Sequence, residues 1–303
     1  MVDASTAEFE QHRRFLTGLA YRMLGSLADA QDIVQDAFLR WHGAARAGIA
    51  SPRAWLGTTV TRLCLDMMKS ARARRESYVG QWLPEPVVAP LGAATDPAQV
   101  AEERIDAPVA LMLAMERLSP LERAVFILHE LFDFGFDEIA GAIERSEAAC
   151  RQLLIRARGH VGEARPRFAV DADEAARVTT AFFAAVGSGD ASQLRDLLAE
   201  TARMHSDGGG KRLAVLNVIR GADRIGRFFA GVAQKHGPEA FRDWSGPLSI
   251  NGLPGYVSAD EYGLLQTTAL EIENGRIVAI YIMRNPDKLA GVGTFLLPAD
   301  AGA

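Results

Sequence analysis

The chain has 303 residues, of which 49% are hydrophobic and 23% are charged. This length is typical of two compact domains, or of three small ones, and the apolar content excludes a largely disordered chain. No apolar stretch approaches the ~20 residues that a membrane helix needs, and the first residues lack the basic and apolar segments of an export signal. We therefore expect a soluble cytoplasmic protein that does not bind membranes.

Two cysteines are present, Cys64 and Cys150. Both fall on the apolar faces of predicted helices, where buried thiols are expected, and two are too few for a zinc cluster. The sequence therefore predicts no disulfide, no metal and no cofactor.

The net charge of −5 does not indicate a nucleic-acid-binding protein, but the charges are unevenly distributed. Residues 53–75 contain six basic residues and one acidic residue, and residues 145–167 contain six basic and two acidic. Between them, residues 96–138 contain three basic and ten acidic residues. Two cationic segments separated by an acidic one are typical of a two-point contact with phosphates, and the alternative is a pair of ordinary solvated helix faces.

Helical periodicity extends over residues 5–75 and is interrupted twice. Ser26 followed by Asp29 predicts the start of the second helix, and Ser51-Pro52 predicts the start of the third. The polar face of the second helix forms an acidic ridge, which consists of Asp29, Asp32, Gln35, Asp36 and Arg40. No metal is implied there, because no further ligand with suitable spacing lies nearby.

The third helix combines an aromatic residue near its start with a basic outer face. Such surfaces suit single-stranded or melting DNA, because an unstacked base needs an aromatic platform and the backbone needs cations. The candidate residues are Trp55, Arg62, Lys69, Arg72, Arg74 and Arg75. For Trp55 itself, a place in the core is the alternative.

Residues 76–97 are rich in proline and glycine and predict a linker with little regular structure. After it, Ser119-Pro120-Leu121-Glu122 predicts a strong helix start. Two helices at 137–143 and 146–161, joined by Glu144-Arg145, have the dimensions of a helix-turn-helix. A generic helical hairpin is the alternative.

Arginine and glutamine near the start of the second of these helices can pair with base edges in a major groove, and further arginines can contact phosphates. The candidate DNA-binding residues are Arg145, Ser146, Glu147, Arg151, Gln152, Arg156 and Arg158.

After residue 167 the pattern changes to α+β. Helices are predicted at 174–186, 190–199 and 222–235, and strands at 201–206, 212–219, 241–250, 255–259, 262–273 and 276–284. Glu273-Asn274-Gly275-Arg276 is a type I′ hairpin signal, so the last two strands should be antiparallel neighbours. A meander around one long helix predicts a cone with a curved antiparallel sheet.

These motifs resemble those of a known family. Residues 28–40 and 52–56 resemble region 2 of sigma-70-type factors of the extracytoplasmic-function (ECF) group, and residues 119–140 and 146–158 resemble region 4. The spacing leaves no region 3 between them, as in that group. Three further motifs resemble the ECF subgroup with a fused SnoaL-like C-terminal domain: WLPEP at 82–86, DGGGK at 207–211 and NPDKL at 285–289.

The resemblance implies two all-α domains followed by an α+β SnoaL-like cone. The implied boundaries are 1–76 for region 2, 77–105 for the linker, 106–168 for region 4, 169–290 for a regulatory domain and 291–303 for a tail. It also implies RNA polymerase core and promoter DNA as partners. The acidic ridge would dock on the polymerase clamp, the 43–51 loop and the third helix would read and melt the minus-ten element, and residues 145–158 would read the minus-thirty-five element.

The C-terminal domain would contact the linker and take the place of a separate anti-sigma factor. The residues implied in this regulation are Trp82, Pro84, Glu85, Asp207, Gly208, Gly209, Gly210, Lys211, Asn285, Pro286, Asp287 and Lys288. We expect Asp207 and Lys211 to meet the acidic residues of the linker or the basic end of the third helix, and Asp207 to lie in a loop rather than on a pocket floor.

The sequence departs from the family pattern at two positions. Glu144 stands in the helix-turn-helix turn where the family usually has glycine, and a positive φ there would cost about 1 kcal/mol. Thr61 stands where relatives often have asparagine, which leaves the minus-ten base preference open.

Two other functions remain as alternatives. One is a helix-turn-helix regulator that senses a ligand and acts without polymerase. The other is a cyclase- or isomerase-like enzyme, since a SnoaL-like cone can host acid/base chemistry or an unknown small ligand. Its candidate residues are His205, Asp207, Tyr256, Tyr262, Gln266 and Tyr281.

Overall fold

The computed structural model describes residues 4–45, 48–75, 78–92, 107–162, 171–237, 243–260 and 262–296. The chain divides into two compact units. The helical unit consists of Met1–Ser77 and Thr95–Arg165, and the α+β unit consists of Tyr78–Ala94 and Pro166–Ala303. The described part of the predicted linker therefore belongs to the α+β unit.

The first part of the helical unit has three helices: α1 (Ala4–Leu24), α2 (Leu27–Gly43) and α3 (Pro52–Arg75). Serine caps begin two of them as predicted. The Ser26 hydroxyl accepts the Asp29 backbone N–H at 3.1 Å, and the Ser51 hydroxyl accepts the Ala54 N–H at 3.2 Å. The apolar faces meet around Trp41, which is buried and donates its indole N–H to the Ser5 carbonyl at 3.0 Å.

The second part has four helices: α4 (Val109–Met115), α5 (Pro120–Phe132), α6 (Phe136–Ile143) and α7 (Glu147–Val161). The predicted capping box of Ser119 and Glu122 is formed at the start of α5. Glu144 ends α6 with a φ of 56°, so this non-glycine residue adopts the left-handed geometry at the position where the family usually has glycine. Ser146 then caps α7 through the Ala149 N–H. Helices α6 and α7 form a helix-turn-helix.

The two parts of the helical unit pack directly against each other. Phe15 of α1 meets the ring of Phe132 of α5 edge-to-face, with centroids 5.1 Å apart. Gly57 of α3 lies under Phe134, where a Cβ would come within 2.8 Å of the ring. The guanidinium of Arg123 is buried; it forms an ion pair with Glu116 and donates to the Arg22 carbonyl at 3.0 Å. Through these contacts the seven described helices form one compact unit.

The α+β unit contains three helices and seven strands among its described residues. The helices are α8 (Ala172–Ser188), α9 (Ala191–Leu197) and α10 (Ala222–His236). The strands are β1 (Val88–Pro90), β2 (Leu198–Asp207), β3 (Ile219–Arg220), β4 (Leu248–Ile250), β5 (Leu253–Ala259), β6 (Leu265–Glu273) and β7 (Arg276–Met283). Short 3₁₀ turns follow at Pro286–Lys288 and Gly293–Phe295.

The strands form one mixed sheet in the order β1-β4-β5-β6-β7-β2-β3. The expectation of an antiparallel sheet was wrong at one pair, because β2 and β7 run parallel. They are far apart in the sequence, so no turn signal reports on their pairing. The hairpin between β6 and β7 is confirmed: Glu273 pairs with Arg276, and Asn274 and Gly275 both have positive φ.

Three segments differ from their predicted conformation. Of the strand predicted at 241–250, whose residues 241 and 242 lie outside the described residues, only Leu248–Ile250 form a strand. Residues 212–219 were expected as a strand, but only Ile219–Arg220 pairs with β2, because the preceding residues fold into a loop. The predicted linker contains strand β1, which pairs antiparallel with β4 through Val88 and Ile250. A three-residue strand beside two prolines carries no alternation to read from the sequence.

The apolar core of the α+β unit lies between the sheet and helices α8 and α10. Phe182 and Phe229 meet edge-to-face there, with centroids 5.5 Å apart. In the helical unit, Cys64 and Cys150 are both buried free thiols, as predicted. No described helix is long and apolar enough to cross a membrane.

Candidate polymerase and nucleic-acid interfaces

The acidic ridge lies on the solvent face of α2. Asp32, Gln35, Asp36 and Arg40 are exposed, and Asp29 is half-buried in the first turn. Their spacing of three and four residues places them on one side of the helix. Leu39 lies among them with 61% of its surface exposed, which is unusual for a large apolar side chain. The ridge therefore offers an acidic surface with one apolar contact.

The outer face of α3 is less free than the sequence predicts. Trp55 is half-buried and packs on Trp41 with ring centroids 5.6 Å apart, so it is partly a core residue. Lys69 is exposed and pairs with Asp66 at 2.8 Å. The side chains of Arg72, Arg74 and Arg75 lie outside the described residues.

Arg62 of α3 is held by the helix-turn-helix. Its guanidinium donates to the carbonyls of Gly141 at 2.8 Å and Ala142 at 3.0 Å, at the end of α6. The Glu144 carboxylate lies 3.3 Å away. Carbonyls at the end of a helix have no partner within it and carry partial negative charge, so they favour a cation. Arg62 thus joins the predicted minus-ten helix to the predicted minus-thirty-five module.

The start of α7 presents a mixed polar surface. Arg145, Ser146, Glu147 and Gln152 are exposed. Arg151 is also exposed, pairs with Glu147 at 2.7 Å and lies over the Phe136 ring. These groups occupy the first two turns of the helix, where residues of a recognition helix meet base edges.

The two arginines further along α7 contact acidic residues of α5. Arg158 lies 2.5 Å from Glu130, and Arg156 lies 3.5 Å from Glu122. Both arginine side chains are still more than half exposed. They are therefore placed to contact phosphates only in competition with these carboxylates.

A buried polar cluster of the α+β unit surrounds Asp207. We call this cluster, which consists of Asp207, Lys288, Tyr78 and Leu83, the linker anchor. The Asp207 carboxylate is fully buried at the end of β2. It accepts the Tyr78 hydroxyl at 2.6 Å and the Leu83 backbone N–H at 2.9 Å, both from the linker. It also accepts the Lys288 ammonium at 2.9 Å. The expectation of a loop position was wrong, because Asp207 is the last residue of β2 and pairs with Met283 of β7.

Lys288 completes the linker anchor from the NPDKL motif. Its ammonium donates to the Leu83 carbonyl at 2.6 Å and lies over the rings of Tyr78 and Trp82. Burial and the Asp207 carboxylate raise the pKa of the Tyr78 hydroxyl, so it stays protonated as a donor. Asn285 adds a hydrogen bond to the same hydroxyl at 3.0 Å.

The three glycines after Asp207 are required by close packing. A Cβ at Gly208 would lie 2.2 Å from the Arg212 carbonyl oxygen. Gly209 and Gly210 have positive φ, and a Cβ on them would meet Asn285 at 2.4 Å and Val79 at 3.0 Å respectively. The turn therefore brings the DGGGK motif against both the NPDKL motif and the linker.

The remaining regulatory candidates lie around this cluster. Lys211 pairs with Asp287 at 2.6 Å instead of meeting the linker, and both are exposed. Pro286 is exposed, Pro84 is buried, and Trp82 and Glu85 are half-buried. The expected contact of Asp207 with the linker is present, but its partners are a tyrosine and a backbone N–H rather than acidic side chains.

The candidates for catalysis are divided between the two faces of the sheet. Tyr256, Tyr262 and Gln266 line a cavity of about 830 Å³. His205 and Tyr281 stack on each other on the other face, where the Tyr281 hydroxyl donates to Glu271 at 2.8 Å. Asp207 holds the linker. This division does not bring an acid and a base together on one substrate atom.

Comparisons with known proteins agree with this architecture. Residues 9–74 match the family model of Sigma-70 region 2, and residues 109–161 match that of Sigma-70, region 4. The chain is 40% identical to the ECF RNA polymerase sigma factor SigJ of Mycobacterium tuberculosis, with 94% of this chain and 93% of SigJ aligned. It is 34% identical to the probable ECF sigma factor SigI of that organism, with 95% of each aligned.

The crystal structure of M. tuberculosis SigJ matches with a TM-score of 0.75, at 36% identity over 93% of this chain and 97% of SigJ. This chain belongs to the ECF RNA polymerase sigma factors. The ECF sigma factor therefore acts in promoter-specific initiation of transcription. Its helical unit contains regions 2 and 4, and its α+β unit accounts for the remaining match to SigJ.

Three residues of this ECF sigma factor belong to the candidate sites in the structure but were not among the candidates from the sequence. Tyr78 and Leu83 hold the linker anchor from the linker side, and Leu39 stands exposed in the acidic ridge. Leu39 had a readable signal, because an apolar residue on the polar face of an amphipathic helix breaks the pattern. Leu83 lies within the WLPEP motif, but nothing in the motif indicated that its backbone N–H binds Asp207.

Proposed function

We propose that this ECF sigma factor is controlled by its own α+β unit, which holds the linker between regions 2 and 4. It needs no separate anti-sigma factor, carries no catalytic activity of its own and acts in the cytoplasm, where RNA polymerase works. The linker anchor is the observation that carries this proposal. In it, the fully buried Asp207 carboxylate and the Lys288 ammonium form hydrogen bonds with Tyr78 and Leu83 of the linker.

In this proposal the acidic ridge docks on RNA polymerase core. The α3 face with Trp55, Arg62 and Lys69 contacts the minus-ten element, and the start of α7 contacts the minus-thirty-five element. Two elements whose names place them about 25 base pairs apart lie roughly 85 Å apart along B-DNA, at 3.4 Å per base pair. Helices α3 and α6 are in hydrogen-bonded contact, so regions 2 and 4 must separate before both elements are bound.

The linker anchor restricts this separation of regions 2 and 4. Residues 76–108, which include the linker, join α3 to α4, and the length of this segment limits how far the regions can move apart. About half of these residues, 78–92, belong to the α+β unit. Release of this segment would return its full length to the linker, and we therefore expect the held form to be the less active one.

The proposal is tested by run-off transcription with purified core polymerase on a random-promoter library. The double variant Asp207→Asn with Lys288→Met removes both charges of the linker anchor together, so neither charge stays buried without its partner. We expect promoter-directed transcripts from the full chain and several-fold more from this variant. The matched control is Arg227→Met with Asp223→Asn, which removes an exposed ion pair of α10 that belongs neither to the linker anchor nor to the other regulatory candidates and should leave transcription unchanged.

Each part of the proposal has its own contrary result. Absence of directed transcripts from both the full chain and the released variant would contradict promoter recognition. Equal transcription by the full chain and the released variant would contradict control through the linker anchor. Full repression only after addition of another protein would contradict the absence of a separate anti-sigma factor.

A further inference from the structure

The cavity of the α+β unit has the size and lining of a small-molecule site. Its volume of about 830 Å³ lies in the range of cavities that hold metabolite-sized ligands. One wall is the sheet face with Tyr256 and Ile282, and the opposite wall is α10 with Phe228 and Val232. The lining is mainly apolar, so an apolar molecule gains free energy by entering it.

The mouth of the cavity exposes apolar side chains. Leu213 is 84% exposed and Tyr262 is 76% exposed, and both line the cavity, as does the partly exposed Leu264. Large apolar side chains with such exposure are few among the described residues. Their clustering at one opening indicates a surface that a ligand covers.

The charges that line the cavity are predominantly positive. Arg212 and Arg284 share one carboxylate, that of Asp260, which also accepts two backbone N–H groups. Lys235 of α10 adds a further cation, and Asp260 is the one acidic lining residue among those described. Burial and the charge of Arg212 lower the pKa of Arg284, whereas Asp260 raises it. An anionic ligand would relieve this repulsion.

One hydrogen-bond donor of the Arg212–Arg284–Asp260 cluster is unused. The Nε of Arg284 is buried and has no hydrogen-bond partner among the described residues. A buried donor without a partner costs about 1–3 kcal/mol, which an acceptor on a ligand would recover. A guanidinium presents its donors in a planar fork that matches the two oxygens of a carboxylate.

We propose that this cavity binds an amphipathic carboxylate. The apolar body lies between α10 and the sheet, and the carboxylate lies against Arg212 and Arg284. The loop between β2 and β3, which includes the lining residues 211–215, also contacts the linker. The Gln81 side chain donates to the Val215 carbonyl at 2.8 Å, and Gly210 packs on Val79. That the ligand acts as the signal that controls transcription rests on the proposed function. That the cavity binds the ligand does not rest on it.

The test is calorimetric titration of the full chain with decanoate and, separately, with the neutral alcohol decanol. We expect decanoate to bind more tightly than decanol. Arg284→Met should weaken decanoate binding about tenfold and leave decanol binding unchanged, because only the charged contact is lost. Arg284→Lys, which keeps the charge, should retain part of the preference.

A second variant separates cavity binding from surface binding. Val232→Trp places a larger ring on the cavity wall and should abolish binding of both compounds. Gln234→Trp introduces the same residue on the exposed side of α10, outside the cavity lining, and should bind normally. Absence of decanoate binding to the full chain, equal affinity for decanol, or full binding by Val232→Trp would each overturn the proposal, whatever the transcription assays show.

Discussion

At the level of single residues, His205 shows how burial sets the behaviour of a titratable group. It lies on β2 and stacks on Tyr281, with ring centroids 5.4 Å apart. Burial lowers its pKa to about 4, and the positive charges of Arg203 and Arg220 act in the same direction. The residue therefore remains neutral in the folded protein at a pH where a solvent-exposed histidine is protonated.

This shift predicts a loss of stability in mild acid. Between pH 6.5 and about 4 the unfolded chain binds a proton at His205 that the folded chain does not, so the free energy of unfolding falls as the pH falls through this window. At pH 5 this group should cost about 1–2 kcal/mol relative to pH 7.5. His205→Phe keeps the aromatic stack and removes the titration.

The measurement is amide hydrogen exchange in β2 and β7 of the full chain at both pH values. The difference between the two should shrink in His205→Phe. His160→Phe, at an exposed position of α7, serves as the control and should change nothing in these strands. The same acid sensitivity in wild type and His205→Phe would show that another group is responsible.

At the level of secondary-structure elements, α2 combines a buried face with the acidic ridge. The buried face can be read from the spacing of Ala30, Ile33, Val34, Ala37 and Trp41. The exposed face carries the charge that we assign to polymerase docking. Because the two faces are separate, the ridge can be altered without disturbing the core.

Charge reversal of the ridge should abolish binding to core polymerase. Asp32→Lys with Asp36→Lys replaces two exposed carboxylates by ammonium groups, which turns attraction to a basic surface into repulsion. The measurement is a pull-down with purified core. Asp196→Lys with Glu200→Lys makes the same change in net charge at exposed positions of the α+β unit and should bind normally. Undiminished binding by the ridge variant would exclude the ridge as the docking surface.

At the level of the whole molecule, the helical unit is closed by contacts between regions 2 and 4. Arg62 contributes two hydrogen bonds and an ion pair to this closure, and Arg123 contributes a buried link between α5 and α1. The predicted DNA-binding arginine thus also holds the closed form. DNA and α6 would compete for the same guanidinium.

Removal of this contact should favour the open form. Arg62→Met removes interactions worth about 1–2 kcal/mol, which shifts the ratio of open to closed molecules roughly 5- to 30-fold. Spin labels at Gly43→Cys and Gly159→Cys, where an added Cβ meets no atom within 4 Å, would report the distance between regions 2 and 4 by pulsed electron paramagnetic resonance. The distance distribution should broaden toward longer values in Arg62→Met. Lys69→Met, on the same helix, is the control, and an unchanged distribution in Arg62→Met would contradict its role in closure.

The sequence by itself determined the helices, their caps, the helix-turn-helix and the last hairpin. These features depend on residues close in the chain, such as Ser119 with Glu122 or Asn274 with Gly275. The family motifs likewise indicated which segments form regions 2 and 4. The sequence left the geometry of the turn at Glu144 open, because a non-glycine residue disfavours a positive φ, and the structure shows a φ of 56° there.

Only the tertiary structure decided how distant segments combine. The parallel pairing of β2 with β7, the addition of β1 to the sheet and the closure through Arg62 each join residues that are remote in sequence. Hydrophobic periodicity shows that a face is buried but not what covers it. The linker anchor is the clearest case, because a carboxylate beside three glycines looks like part of an exposed turn until the chain places Tyr78 and Leu83 against it.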